Sequence, residues 1–202
     1  MDTTPEPPPP PPPPPPDPVE LWGTFCAAIT TESVGRFIHC VNVATQGKAA
    51  RMHILFQSGG GNVNDGICLY NYLRKTPVDV TLYNVGTIAS VGVIIYLGAK
   101  RRVTQRHGTF MIHRSTSFPI GAHAADKLEF TAKALRIDDD RTEAILRDHL
   151  KFPEEKWSEL RHNAEFWFTS EEAVESSIAT EIGEFAPPIG TTLFSVYPHF
   201  PV

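Results

Sequence analysis

An α/β fold with a largely parallel sheet is predicted by three observations. Runs of strand length rich in β-formers recur along the chain, each is followed by a segment whose apolar residues repeat at helical spacing, and the two kinds alternate. The 202 residues suffice for one domain with a real core plus a tail.

The first eighteen residues, "MDTTPEPPPPPPPPPPDP", lack the N–H groups that helix or sheet requires and are expected to form an extended polyproline II arm outside the fold. A solvated spacer and a ligand for a proline-reading module are both open to such an arm. The globular domain is expected over residues 19–184. "LWGTFCAAI" reads as a strand, and Val34, Phe37, Ile38 and Val41 follow at helical spacing. "RMHILFQ" reads as the next strand, stopped by "SGGG"; Val63, Ile67, Tyr70 and Leu73 then restart the helical period, with Arg74 and Lys75 suiting its C-terminus. Residues 78–85 form a third strand and 91–99 a buried helix. "RRVTQ" and "GTFMIH" fit two short strands around the turn-prone "RHG". Residues 126–150 carry leucine, isoleucine and alanine among charges, as a long amphipathic helix does, with the polar "IDDDR" as its weak point. Asp138, Asp139 and Asp140 there read as a solvated face, with Arg136 or Arg141 as ion-pair partners. Thr169 and Glu172 form a capping box for a short helix. Residues 185–202 are expected to be an irregular extension.

The apolar share of 41% and charged share of 20% are those of a soluble globular protein, and a formal charge of -5 argues against nucleic acid as a partner. No apolar run approaches the roughly 18 to 20 residues a bilayer span needs, and no secretory signal pattern opens the chain, so neither a membrane nor export is expected. Cys26, Cys40 and Cys68 form no C-x-x-C pair and read as buried thiols in a reducing compartment. A cytoplasmic location follows as the expectation.

"TIASVG" places Ser90 at a strand-to-helix junction. A serine there either caps the helix through its side-chain oxygen or acts as a nucleophile beside the free N–H groups of the helix start. Acyl transfer also needs a base, an orienter and oxyanion donors. His113, ending the strand "TFMIH", is the base candidate, and the alternative is a structural histidine. The "SGGG" loop offers backbone N–H groups, with Ser58 read as a turn residue. No phosphate-loop lysine follows it, His107, His113 and His123 fit no metal pattern, and Ser90 is not in a G-x-S-x-G elbow. No cofactor and no metal is called for.

The ordered series "ILFQSGGGNVNDG", "TIASVG", "GAKRRVTQRHGTFMIH" and "EFWFTSEEAVE" resembles the proteolytic subunit of the Clp protease, from about Trp22 to Ile182. The resemblance implies a crotonase-like fold of repeated ββα units with a protruding handle helix. It implies peptide-bond hydrolysis by Ser90 as nucleophile and His113 as base, with the backbone N–H groups of Gly61 and Val91 as the oxyanion hole. It further implies unfolded polypeptides or peptides as substrates and a homo-oligomer of heptameric rings, stacked in pairs through the handle helix to enclose a chamber. The family's acid is an aspartate, and matching back from "EEAV" puts Glu165 in its place. His162 and Asn163 stand close by as neutral orienters. Gly59 replaces a proline, and "SSIATEI" stands where the family has G-L-V-D. The segment that engages an ATPase unfoldase is not recognisable, which leaves that partner open.

Two other readings share these residues. A catalytically impaired ring subunit would assemble with an active paralogue. A crotonase-type acyl-CoA enzyme would turn the glycine-loop donors toward an enolate.

Overall fold

The computed structural model describes residues 18–117, 121–122, 124–162 and 165–196. The proline arm up to residue 17 lies outside them, as do His123 and Asn163.

The predicted alternation is present. Strand β1 (Glu20–Cys26) leads to helix α1 (Thr31–Gln46), β2 (Arg51–Gln57) to α2 (Val63–Leu73), and β3 (Asp79–Asn84) with β4 (Thr87–Ala89) to α3 (Val91–Gly98). After β5 (Arg101–Thr104) and β6 (Thr109–Ile112) come α4 (Ala125–His149) and α5 (Glu154–Arg161). The order closes with β7 (Phe166–Phe168), α6 (Ser170–Glu175), β8 (Glu181–Ile182) and β9 (Phe194–Ser195).

Six strands pair in the order β8-β5-β3-β2-β1-β9, parallel throughout. Such a sheet needs cover on both faces, so its strands are apolar nearly end to end: Met52, Ile54, Phe56, Val80 and Leu82 are all buried. Phe25 of β1 stacks on Phe56 of β2 with centroids 5.1 Å apart, and Phe37 of α1 meets Phe25 edge-on. Every residue of α3 is buried, which explains why its run "VGVIIYLG" has no polar face.

A second, three-stranded sheet has the order β4-β6-β7. β4 and β6 run parallel with Ala89 opposite Met111, while β7 joins β6 antiparallel with Phe166 opposite Ile112. This sheet is tied to the end of β2 by the bridge between Ser58 and Ile88, where the Ala89 N–H donates to the Ser58 carbonyl at 2.9 Å.

Helix α4 forms as expected and runs unbroken through "IDDDR", where Asp138 meets Arg141 at 3.2 Å and Asp139 meets Arg114 at 2.6 Å. Three expectations are corrected. Asp139 is therefore not part of a solvated face, its side chain being only 13% exposed. Cys26 and Cys68 are exposed and Cys40 is half-buried, so none of the thiols is a core group. The extension is not wholly irregular. Phe194 and Ser195 add a strand beside β1, with Phe194 lying over Gly23 and the Val196 N–H donating to the Thr24 carbonyl at 2.9 Å.

The capping box at α6 forms as expected: the Glu172 N–H donates to Thr169 Oγ1 at 3.3 Å and the Thr169 N–H to Glu172 Oε2 at 2.8 Å. Among the described residues no helix is long and apolar enough to cross a membrane.

Candidate active site

Because β4 and β6 are parallel neighbours, the residues that follow them leave the sheet on the same side. Ser90 follows β4 and His113 follows β6, 23 residues apart in the chain yet one strand apart in space. The Ser90 N–H donates to the Met111 carbonyl at 2.8 Å, extending the ladder by one rung. The imidazole Nε2 of His113 lies 2.9 Å from Ser90 Oγ.

The two uses open to a serine here are now distinguishable. Ser90 occupies the N-cap position of α3 but makes no side-chain capping bond. Its hydroxyl is turned to the histidine instead. Its backbone is at φ 57°, ψ -134°, a conformation L-residues rarely hold, with a cost on the order of 1–3 kcal/mol. The sharp strand-to-helix turn of a nucleophile elbow is thus present without the flanking glycines of G-x-S-x-G.

The glycine loop packs against this turn. Gly60, at φ 98°, lies so close that a Cβ placed there would stand 2.6 Å from the Ser90 Cβ. Gly61, at φ 152°, is pressed against the Ile29 backbone, and Ile29 bonds on both sides of it: its N–H donates to the Gly60 carbonyl and its carbonyl accepts from the Asn62 N–H, both at 2.9 Å. Neither the Gly61 nor the Val91 N–H is taken by a hydrogen bond among the described residues. Ser58 is a buried turn residue as expected, its Oγ accepting from the Gly60 N–H at 3.2 Å.

A cleft of about 560 Å³ opens over the pair. Gly61, Ser90 and His113 line one side, and Ile94, Leu135 and Leu146 give it an apolar wall. Apolar walls with a few convergent polar groups are the usual make-up of a ligand site. Among the described residues no group of three or more His, Cys, Asp or Glu side chains is placed to hold a metal ion.

Glu165 immediately precedes β7, and one further step of the β6–β7 register sets it across from His113. Its side chain is exposed, and among the described residues no hydrogen bond joins it to the imidazole. His162 is turned elsewhere, its Nδ1 lying 2.6 Å from the Ser158 carbonyl. The carboxylate that does bond to the chain leaving His113 is Asp139, through Arg114 and the Ser115 N–H. Sequence reading missed this contact. Its only signal was an arginine beside the base candidate and an acidic triplet on a helix, with nothing to say that the two would meet.

A family model of the Clp protease matches residues 25–185. The chain belongs to the Clp protease family. The ATP-dependent Clp protease proteolytic subunit 1 of Streptomyces avermitilis is 30% identical over 138 residues, covering 65% of this chain and 60% of that one. The proteolytic subunit 3 of Rhodococcus jostii is 26% identical over 140 residues, covering 66% and 68%. The aligned part of the chain thus spans about 60% of the Streptomyces relative's length. Among solved structures, a ClpP1 point mutant from Listeria monocytogenes matches with a TM-score of 0.66 at 23% identity, over 82% of this chain and 90% of that one. The fold is therefore the crotonase-like Clp protease fold, with β3 and β4 before α3 as a ββα unit and α4 as the long helix after the second strand pair.

Proposed function

We propose that the protein is a serine peptidase of the Clp proteolytic-subunit type, cleaving unfolded polypeptide or short peptides. The observation that carries this reading is the 2.9 Å contact between His113 Nε2 and a Ser90 hydroxyl that has given up its capping bond. In the mechanism, Nε2 accepts the Ser90 proton as Oγ attacks the peptide carbonyl, which requires the ring's own proton to sit on Nδ1. The carbonyl oxygen becomes an oxyanion held by the Gly61 and Val91 N–H groups, both unclaimed within the described residues. The imidazolium then protonates the departing amine. A water molecule, deprotonated by the same histidine, releases the acyl group from Ser90.

Glu165 is the proposed orienter of Nδ1, supported by its place across from His113 in the extended register. Orientation matters because disabling the acid of a Ser-His-Asp triad costs about ten-thousandfold in turnover.

Family membership supports assembly into rings, proposed as heptamers stacked in pairs. Phe130 and Ile137, seven residues apart and so on one face of α4, are exposed at 71% and 49%, an apolar surface suited to a second copy of the helix. A cytoplasmic location goes with this reading, while an ATPase partner is left out of it.

Labelling with a fluorophosphonate, read by mass spectrometry, is the test. The expected result is a single adduct on Ser90, with peptide cleavage abolished in Ser90→Ala. A second reading, an impaired ring subunit that assembles with an active paralogue, is favoured by one observation: Glu165 is exposed and unbonded to His113. An unlabelled Ser90 in the assembled protein, with cleavage unchanged in Ser90→Ala, would decide for it.

A further inference from the structure

His113 stands one residue beyond the last rung of β6, where the ladder no longer holds the backbone. The chain from Arg114 to Ser117 has no regular structure, so the pose of the imidazole depends on what secures that segment. Asp139, near the middle of α4, uses both of its carboxylate oxygens there. Oδ1 accepts the Ser115 N–H at 2.7 Å. Oδ2 accepts from the Arg114 guanidinium, at 2.8 Å from Nε and 2.6 Å from Nη2. The remaining arm of the guanidinium, Nη1, donates to the Arg161 carbonyl in the last turn of α5 at 2.7 Å. Two consecutive residues after His113 are thus tied to two helices through one half-buried carboxylate–guanidinium pair.

We propose that Asp139 is a positioning residue for His113, holding the peptide that leaves the base against α4. The proposal rests on the peptidase reading for its catalytic meaning. Its physical content is that charge-assisted bonds to both carboxylate oxygens, one from a backbone amide and one from a guanidinium, fix direction as well as distance, and that a displacement of about 1 Å in a catalytic group costs on the order of a hundredfold in rate. Arg114 suits this role because its planar guanidinium spreads its donors, with Nε and Nη2 on Asp139 and Nη1 on the Arg161 carbonyl, where a lysine offers one compact ammonium.

Three measurements on the full-length protein test it: the rate constant for fluorophosphonate labelling of Ser90, the kcat and KM for a peptide substrate, and hydrogen exchange of the Ser115 amide. Asp139→Ala is expected to slow labelling and kcat by about 10- to 100-fold with KM changed less than about threefold, and to speed exchange at Ser115. Asp139→Asn retains an oxygen for that amide, so it should restore protection at Ser115 and part of the lost rate. Arg147→Gln is the control for a merely structural role, because Arg147 ties α4 to α5 through Glu154 without touching residues 113–115. It should label within about twofold of wild type. Should Asp139→Ala misfold, Arg114→Gln and Arg114→Lys put the same question from the other partner, the lysine recovering less than half of the lost rate. Wild-type labelling in Asp139→Ala, an unchanged Ser115 amide, or an equal loss in Arg147→Gln would overturn the proposal. Wild-type protein that resists the reagent would instead overturn the peptidase reading, and exchange at Ser115 would then decide the clamp by itself.

Discussion

Ser90 is held in a backbone conformation that only its surroundings can enforce, and Gly60 is the tightest of those surroundings. Gly60→Ala adds a Cβ where there is no room and a residue with a strong aversion to positive φ. Its expected cost is at least about 1 kcal/mol, seen as a fall in Tm of roughly 2–4 °C or more, with labelling of Ser90 reduced in the protein that stays folded. The base has its own signature. His113→Ala should abolish peptidase activity and slow fluorophosphonate labelling of Ser90, and retained activity would remove this histidine from the mechanism. The candidate pair was legible in the sequence only as two residue types at the ends of two strands. That they touch is a matter of register, because one step of slip between β4 and β6 would turn Ser90 away, and no local pattern encodes that register. Glu165 was nominated through the family resemblance, by matching back from "EEAV", and makes no hydrogen bond to His113 among the described residues, whereas Asp139 was not legible at all, since its partner lies 25 residues away in the irregular segment after β6.

The elements differ in how openly they declare themselves. Helices α1 to α3 could be read from their apolar residues because α1 and α2 each bury one stripe and α3 buries every residue, whereas α4, with only Leu146 buried, showed itself by its length and its apolar residues spaced among charges. Strands β4, β7, β8 and β9 are two or three residues long and carry too little pattern to stand out from loop. Helix α5 is hidden for another reason: only Trp157 and Leu160 are buried among its eight residues, and it is secured by Arg147 and Arg161 bonding with Glu143 and Glu154. Those guanidinium contacts hold the Glu143 carboxyl below its usual range, the hydrogen bond from Arg161 contributing most. At α6, where both halves of the capping box form, Thr169→Ala should cost about 1 kcal/mol, measured by chemical denaturation. A change below about 0.3 kcal/mol would mean that the cap contributes nothing beyond what water supplies.

At the scale of the molecule, two histidines contribute to the response of stability to pH near neutrality. Burial pushes His53 below the ordinary histidine value, opposed by the Glu20 carboxylate, and burial followed by the Arg102 and Arg74 charges does the same to His149. The unfolded chain takes up protons at these positions as pH falls through about 6.5, while the folded protein does so only at lower pH. Their contribution is therefore fully present above that value and lost on acidification. Thermal unfolding should show Tm falling between about pH 7.5 and 5.5, and His149→Gln should shrink the fall; a Tm that rises over that interval would contradict the assignment. Solution mass tests assembly, with a heptamer or larger expected and a monomer counting against the enclosed chamber. The flanks of the large sheet bear on how copies meet. At one side, the two rungs of β9 fall mid-way along the seven-residue β1, so a foreign strand seeking main-chain partners must first dislodge Phe194; at the other, β8 offers two residues. Among the described residues, neither flank of this sheet offers a long open edge, so fibre growth by adding strands to it is disfavoured in concentrated solutions.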